Sequence, residues 1–323
     1  MNFLVIGSEG NLGRNLVKTI VNNGDKVVGI DKVKNSSINT SNYKIIEQDF
    51  LNSSISKEEF ETFGKIDFAI HLAAIVGVKN SLNDPFTVLN TNILLLTKTL
   101  EYLKNYNLTK NIIYASSSGV YGGTALDETT RPKYLYGDLK FIKNPYAATK
   151  IIGEIILEAF KNSYNFEPIC LRFFDMYHET MNYHENVPVF YKFCHDAFYD
   201  KDLHIKGNGE NKISFLYMED AANVIYSVAK ENFKNDSTLI TGTLDVCSEN
   251  NIISLNSLVD IIEKRLGRKV KVYHDELNEA ERKILNKTMA GNSEAIKTVT
   301  SYRIHTTPEE GVDKVISYLE NKN

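Results

Sequence analysis

The first half of the chain alternates short apolar runs with longer stretches that repeat apolar residues at helical spacing. A short run bounded by turn residues is typical of a strand, and the longer periodic stretches are typical of amphipathic helices. This alternation predicts βαβ units around a parallel sheet, in an α/β fold of the doubly wound Rossmann type. The predicted strands cover residues 2–7, 26–31, 44–47, 66–72, 111–116 and 168–172.

Two of the predicted helices are rich in apolar residues. One covers residues 85–106, and the other begins near Tyr146 and continues to about residue 160. The residues of the first helix that are expected in the core are Leu89, Ile93, Leu96, Leu100 and Leu103. The second helix has more apolar surface than one core-facing side requires, so a partner subunit is expected to cover the remainder. We therefore predict a homodimer built on these two helices.

The strict alternation fades after Arg172, where long polar stretches separate short strands and helices. We predict a nucleotide-binding Rossmann domain over residues 1–172 and a smaller C-terminal substrate lobe over residues 173–323. The lobe is expected to be interleaved with returns of the chain to the first sheet.

The composition excludes several classes of function. Of the 323 residues, 42% are hydrophobic and 24% are charged, and the net charge is −4. No basic block points to nucleic acid or to an anionic membrane surface as a partner. The three widely spaced cysteines indicate core thiols in a reducing compartment and lack the spacing of a metal site. Because the chain shows neither a signal peptide nor an apolar run of membrane-spanning length, the predicted location is the cytoplasm.

The first predicted strand runs directly into G-S-E-G-N-L-G at residues 7–13. A strand, a glycine turn and an apolar helix in this order form a dinucleotide-binding fingerprint, because glycines let a pyrophosphate approach the helix N-terminus. Asp31 ends the second strand, where a carboxylate accepts hydrogen bonds from a ribose 2′-hydroxyl and repels a 2′-phosphate. This favours NAD over NADP, although the adjacent Lys32 could tolerate phosphate. Asp49, after the third strand, either contacts the adenine edge or caps its own strand end.

Two groups of polar residues carry candidate chemistry. The fifth strand ends in A-S-S-S-G-V-Y-G at residues 115–122, and the carboxyl ends of parallel strands face the ligand crevice. Tyr146 and Lys150 stand four residues apart on a predicted helix, which puts both side chains on one face. A nearby ammonium lowers the pKa of a phenol, so this pair could act as an acid–base unit toward a substrate.

These motifs resemble the extended short-chain dehydrogenase/reductases, in particular the NAD-dependent sugar-nucleotide epimerase/dehydratase group. The resemblance covers nearly the whole chain, and it also rests on D-F at 49–50, H-L-A-A at 71–74, Asn92, P-Y-A-A-T-K at 145–150, L-R-F-F at 171–174 and F-L-Y-M-E-D at 215–220. It implies that NAD is the cofactor. The residues that it implies for NAD binding are Gly7, Gly10, Asn11, Leu12, Gly13, Asp31, Asp49, Phe50, Leu72, Ala73, Ala74, Asn92, Tyr146 and Lys150.

The resemblance also implies a reaction and its catalytic residues. Tyr146 would move the proton of a sugar hydroxyl while hydride passes to the nicotinamide, and Ser117 would hydrogen-bond the reacting oxygen. Lys150 would lower the pKa of Tyr146 and hold the nicotinamide ribose. The expected activity is that of an oxidoreductase on a sugar-nucleotide carbon, above all C4, either as a 4-epimerase or as a net 4-dehydrogenase or ketoreductase. No metal is expected, because NAD carries the electrons.

The chain departs from the family pattern beside the catalytic serine. Members that eliminate water carry an Asp–Glu pair where this chain has Ser118 and Gly119, so a 4,6-dehydratase is not expected. Ser118 is instead a candidate substrate contact. The cysteine that some epimerising members have in place of Gly119 is absent, and His184, near the position of their histidine, is interpreted as a solvated loop residue.

The substrate side departs from the pattern at two further positions. Asp175 replaces the usual asparagine after L-R-F-F, and Ile213 replaces the arginine that usually grips the substrate diphosphate. Both changes reduce phosphate affinity, and Asp175 adds repulsion. Lys212 is the first candidate for a replacement grip. The other candidate cations of the lobe are Lys192, Lys206, Arg282 and Lys283.

Two other functions compete with the sugar-nucleotide enzyme. One is a reductase of a non-nucleotide carbonyl compound, and the other is a non-catalytic NAD-binding regulatory protein on the same fold. The intact set of Ser117, Tyr146 and Lys150 argues against the second.

Overall fold

The computed structural model describes residues 1–35, 38–122, 142, 144–184, 187–234, 242–277 and 290–322. Its main sheet is formed by β1 (Asn2–Ile6), β2 (Lys26–Asp31), β3 (Tyr43–Glu47), β4 (Phe68–His71), β5 (Asn111–Ser117), β6 (Glu167–Phe173) and β10 (Gly242–Val246). The strand order is β10-β6-β5-β4-β1-β2-β3, and every neighbouring pair is parallel. The spatial order in which successive strands are added reverses between β1 and β4, and this reversal leaves a crevice at the carboxyl ends of the strands.

Helices cover both faces of this sheet. The helices within the described ranges are α1 (Asn11–Asn22), α2 (Lys57–Phe60), α3 (Val78–Asn83), α4 (Pro85–Asn105), α5 (Pro145–Tyr164), α6 (Val189–Phe198), α7 (Met218–Lys234), α8 (Leu255–Leu266), α9 (Glu294–Val299) and α10 (Pro308–Lys322), of which α6, α8 and α10 lie away from the main sheet. Phe3 and Val5 of β1 pack in one apolar cluster with α1 and α7, whereas Leu4 and Ile6 pack in another with α4 and α5. Because alternate side chains of a strand point to opposite faces, β1 is buried on both sides, as its continuous apolar sequence predicts.

A second apolar core lies beside the main sheet. It is built around a small sheet of β7 (Asp175–Tyr177), β9 (Lys212–Tyr217) and β11 (Ile252–Ser254), together with α6, α8 and α10. A further pair of strands, β8 (Leu203–Lys206) and β12 (Val272–Asp275), extends it. Tyr177 and Phe190 stack at its centre with ring centroids 3.7 Å apart. These elements form the region in which the substrate lobe is predicted.

The predicted strands agree with the structure to within a few residues. The sequence does not single out β10, which comes from beyond residue 172 and pairs with β6 from Gly242 to Val246. Helix α7 also returns to the main sheet, where Thr19 of α1 donates a hydrogen bond to Asn223 at 3.3 Å. The division of the chain at residue 172, with cofactor binding before it and substrate binding after it, therefore stays a prediction.

Helix α4 corrects one prediction about the core. Leu96, Leu100 and Leu103 are fully buried, but Leu89 and Ile93 are only half-buried. They lie toward a side of α4 that also carries Phe86, which is 76% exposed. Helical spacing identifies an apolar stripe, but it does not show how much of that stripe the rest of the chain covers. No helix within the described ranges combines the length and the apolarity that a membrane crossing requires.

Candidate active site

The glycine turn after β1 has the geometry that a dinucleotide needs. Gly7 has a φ of 88°, and a Cβ at this residue would lie 2.7 Å from the Ala73 nitrogen. A Cβ on Gly13 would lie 2.1 Å from the Gly7 carbonyl oxygen, so the first turn of α1 packs directly on β1. Gly10 is the N-cap of α1, and no described side chain caps this helix end or adds an acid to its first turn. The N-terminus, including Asn11 and Leu12, can therefore receive a pyrophosphate, and the turn fits NAD.

Asp31 lies at the carboxyl end of β2, directly beside this turn. Its Oδ2 accepts a hydrogen bond from the Glu9 N–H at 2.9 Å, and its Oδ1 accepts one from the Lys32 N–H at 2.8 Å. The carboxylate is half-buried and fixed in orientation. This is the placement predicted for the group that receives an adenosine ribose.

Asp49 and Phe50 contact other parts of the chain. The carboxylate of Asp49 accepts from the Leu51 N–H at 3.1 Å and from the Asn52 side chain at 2.8 Å, and the Asn52 hydrogen bond lowers its pKa. This is the capping geometry of its own turn. The Phe50 ring is buried against Tyr102, with ring centroids 5.5 Å apart, so only its backbone can reach a ligand.

The residues after β4 lie against the glycine turn. Leu72 and Ala73 donate backbone hydrogen bonds to the Ile6 carbonyl at 2.9 and 3.0 Å, and Ala74 follows them. Asn92 of α4 holds the next residue, because its Oδ1 accepts from the Ile75 N–H at 2.7 Å and its Nδ2 donates to the Ile75 carbonyl at 3.1 Å. Asn92 therefore positions this segment and is itself buried.

The three predicted catalytic residues come together at the ends of β5 and α5. Ser117 ends β5, and its Oγ accepts a hydrogen bond from the Gly119 N–H at 3.1 Å. Tyr146 stands in the first turn of α5, which Pro145 begins and Asn144 caps by accepting from the Ala147 N–H at 2.8 Å. Tyr146 lies close enough to Ser117 for the serine side chain to lower its pKa.

Lys150 lies one turn further along α5 and is almost fully buried. Its Nζ donates to the Ala115 carbonyl at 2.7 Å and lies 5.6 Å from the centre of the Tyr146 ring. The predicted pair on one face of a helix is therefore present in the structure. The side chain of Lys150 is thereby held near the carboxyl end of β5.

The pKa values of this pair correct one expectation. Burial raises the pKa of Tyr146 to about 12, and the neighbouring Ser117 side chain opposes this only in part. Burial lowers the pKa of Lys150 to about 8, against the effect of the nearby Glu154 carboxylate. The pKa of Tyr146 in the protein alone therefore lies above its ordinary value, not below it as expected, because burial disfavours the charged phenolate.

A buried ionic network under this pair was missed by the sequence analysis. The Glu154 carboxylate accepts from the Arg172 side chain, with Nε–Oε1 and Nη2–Oε2 distances of 2.9 and 2.6 Å, and from the Ser116 hydroxyl at 2.5 Å. The Arg172 guanidinium lies 4.8 Å from the centre of the Tyr121 ring, whose hydroxyl donates to Asp245 of β10 at 2.6 Å. The network joins α5, β5, β6 and β10 below Lys150. The one local signal was Glu154, four residues after Lys150 on the same helix face.

The predicted substrate-side residues lie on different elements. Ser118 begins a 3-10 turn, Ser118–Tyr121. Asp175 begins β7 with an exposed side chain, and the chain packed around its carboxyl nevertheless raises its pKa to about 6. Lys212 is exposed at the start of β9, whereas Ile213 packs against the second apolar core. The position where the family pattern has an arginine is thus turned toward apolar side chains.

Two of the remaining candidate cations form ion pairs within the chain. Lys192 pairs with the buried Asp196, and Lys206 lies 3.4 Å from an Asp275 carboxylate oxygen. Arg282 and Lys283 lie outside the described residues. His184 is exposed in a loop, in agreement with its interpretation from the sequence.

Comparison with known proteins identifies the family of this chain. The model of the NAD dependent epimerase/dehydratase family matches residues 3–240. A UDP-glucuronate 4-epimerase of Thermodesulfobacterium geofontis is 26% identical over 98% of this chain and 95% of its own length. Among solved structures, the UDP-glucose 4-epimerase of Thermus thermophilus in complex with NAD has a TM-score of 0.80 at 18% identity, and both chains are fully covered. The UDP-glucuronic acid 4-epimerase of Bacillus cereus, with UDP-glucuronic acid and NAD, has a TM-score of 0.78 at 22% identity, again over the whole of both chains. The predicted fold class, family, enzyme class and NAD cofactor are confirmed, and the chain belongs to the NAD-dependent epimerase/dehydratase family.

Proposed function

We propose that this protein is an NAD-dependent 4-epimerase of a nucleoside diphosphate sugar. The observation that carries the proposal is the placement of Tyr146 beside Ser117, with Lys150 one helical turn away at the carboxyl edge of the main sheet. The relative from Thermodesulfobacterium geofontis, named a UDP-glucuronate 4-epimerase, supports C4 as the reacting carbon.

Each catalytic residue has a proposed task. Tyr146 takes the proton of the substrate C4 hydroxyl as the phenolate and returns it later as the phenol, and Ser117 orients the substrate hydroxyl by hydrogen bonding. Lys150, with a pKa of about 8, carries its proton at neutral pH and supplies a fixed positive charge near the phenolate. Bound NAD would accept the C4 hydride and return it to the opposite face of the keto sugar.

The glycine turn and Asp31 are proposed to hold the cofactor. The first turn of α1 would bind the pyrophosphate through the N–H groups of Asn11, Leu12 and Gly13, and Asp31 would accept from the adenosine ribose. We assign cofactor binding to residues 1–172 and substrate binding to residues 173–323. The second apolar core around β7 and β9 supports this division.

We also propose a homodimer built on α4 and α5. Phe86 and Leu94 of α4 are 76% and 52% exposed, and Ile155 of α5 is 53% exposed. Burying such a face contributes about 25 cal/mol per Å² of apolar surface. Light scattering at micromolar concentration should give twice the mass of the chain, and Phe86→Glu should shift it toward the monomer. A monomeric mass for the unaltered protein would contradict the proposal.

The activity is tested with UDP-glucose and UDP-glucuronate in D₂O, followed by NMR. An epimerase that moves hydride within the active site converts each substrate to its C4 epimer without deuterium at C4 and without net NADH. Accumulation of NADH together with a keto sugar would show a net dehydrogenase instead. Denaturing the protein and identifying the released dinucleotide by mass spectrometry gives a separate test of the cofactor.

A further inference from the structure

Glu9 has an unusual place for a carboxylate, within the glycine turn between β1 and α1. Although it belongs to a turn, the residue is only 2% exposed. Its Oε1 accepts a hydrogen bond from the Tyr43 hydroxyl at 2.6 Å, and its Oε2 accepts one from the Asn35 N–H at 2.8 Å. A buried carboxylate needs such partners, and here they come from β3 and from the segment after β2.

Glu9 also contacts Asp31 through its backbone. The Glu9 N–H donates to Asp31 Oδ2 at 2.9 Å, so the two residues are in direct contact. Both carboxylates also act on the same phenol, because burial, the hydrogen bond to Glu9 and the charges of Glu9 and Asp31 all raise the pKa of Tyr43. Two negative charges therefore converge beside the turn that would hold the adenosine ribose.

The charges around this pair do not all have one sign. Lys32 follows Asp31 and is exposed, and the Arg14 guanidinium donates to the Glu9 carbonyl oxygen at 2.7 Å and to Asn11 Oδ1 at 2.9 Å. Two cations could thus attract a phosphate to a site where Asp31 alone would have to repel it. A second carboxylate changes this balance in favour of repulsion.

We propose that Glu9 is a second determinant of cofactor choice, which disfavours NADP through its charge in addition to Asp31. A 2′-phosphate carries close to two negative charges at neutral pH, whereas a 2′-hydroxyl carries none. The Glu9 charge therefore opposes NADP and leaves NAD nearly unaffected. The inference rests on NAD binding at the glycine turn and does not depend on the sugar substrate.

Calorimetric binding of NAD and NADP to four proteins tests the proposal. These are the unaltered protein, Glu9→Gln, Asp31→Asn and the double variant. Glu9→Gln should tighten NADP binding about fivefold to tenfold and change NAD binding less than about twofold, because glutamine keeps the size and loses the charge. In the double variant the gains in NADP affinity should multiply, since each change removes one repulsive charge.

Tyr43→Phe separates a charge effect from the anchoring of the turn. It removes a hydrogen bond of Glu9 but keeps the charge, so the ratio of NAD to NADP affinity should stay as in the unaltered protein. If Glu9→Gln weakens both cofactors equally, or if Tyr43→Phe changes the ratio as much, Glu9 is an anchor only and the proposal is wrong.

A measurement on the unaltered protein guards against variants that do not fold. Raising the ionic strength from about 0.05 to about 0.5 M should improve NADP binding relative to NAD, because salt screens repulsion between like charges. A loss of NADP affinity relative to NAD under the same change would show that Lys32 and Arg14 dominate, and would overturn the proposal. If neither dinucleotide binds to the unaltered protein, the cofactor assignment itself fails, which is a different result.

Discussion

The proposed cofactor side and the proposed substrate side of the site differ in how they are built. On the cofactor side, Gly7, Asp31 and Ala73 lie at the ends of neighbouring strands of one buried parallel sheet. Gly7 packs closely against Ala73, and Asp31 accepts a hydrogen bond from the N–H of Glu9 in the same turn. On the substrate side, Asp175 and Lys212 begin two strands of a separate small sheet. There the family's usual arginine position holds Ile213, which packs into an apolar core.

This difference shows which part of the site the fold itself dictates. A pyrophosphate is recognised by backbone N–H groups at a helix N-terminus, so any chain that keeps the turn keeps the site. A sugar diphosphate is recognised by side chains, which can change without disturbing the sheet. We therefore expect substitutions near the main sheet to reduce turnover or NAD affinity strongly, and substitutions in the lobe to change substrate affinity less.

The largest effect is expected for Tyr146→Phe. Removing the hydroxyl should reduce turnover by about 10²–10⁴-fold, the usual contribution of a general acid–base group, while the retained ring preserves packing and NAD affinity. Tyr106→Phe is the matched control, because the Tyr106 hydroxyl donates to the Ile55 carbonyl at 3.2 Å, outside the site. Steady-state kinetics and NAD titration of both variants test this. Near-full activity of Tyr146→Phe would remove Tyr146 from the mechanism.

The next effect is expected for Asp31→Ala. A hydrogen bond to a charged group contributes about 1.5–3 kcal/mol, so NAD affinity should fall about ten- to a hundredfold, and the preference over NADP should narrow. Asp49→Ala should have a smaller effect, since the Asp49 carboxylate is used within its own turn. Equal losses in the two variants would show that Asp49 also contacts the adenine, as the resemblance implies.

The cofactor side was predictable because its requirements are local in sequence. Gly13 must be glycine because a Cβ would collide with the Gly7 carbonyl, and such a requirement is visible as spacing. The network of Glu154, Arg172 and Asp245 was not predictable, because its members are common residue types that are distant in the chain. The sequence also does not show how deeply each side chain is buried. Deep burial raises the pKa of Tyr146, whereas incomplete burial leaves Leu89 partly exposed.

Asp175 should make substrate binding depend on pH. Because its pKa is raised to about 6, the carboxyl is mostly neutral below this pH and anionic above it. An anion repels a diphosphate, so affinity for UDP-glucose, whose own charge is constant in this range, should fall about tenfold as pH rises from about 5 to about 8. Asp175→Asn should bind more tightly at neutral pH and should lose this dependence. A pH profile shared by both proteins would mean that Asp175 does not face the diphosphate.

The smallest effect is expected for Lys212→Ala, and it tests how the lobe replaces the usual arginine. Lys212 is exposed at the start of β9, on the opposite face from Ile213, so this one exposed lysine is expected to contribute about threefold to the affinity for UDP. Lys206→Ala is the control, because Lys206 lies 3.4 Å from Asp275 on the neighbouring strand.

Arg282→Ala, outside the described residues, extends the same comparison of UDP affinities. If UDP affinity falls in Lys212→Ala or Arg282→Ala but not in Lys206→Ala, the residue whose loss weakens binding contacts the diphosphate. If neither variant loses affinity, and the unaltered protein binds no nucleoside diphosphate, the substrate is a carbonyl compound without a nucleotide. The lobe would then have departed from its family in substrate class, while the cofactor side had kept its chemistry.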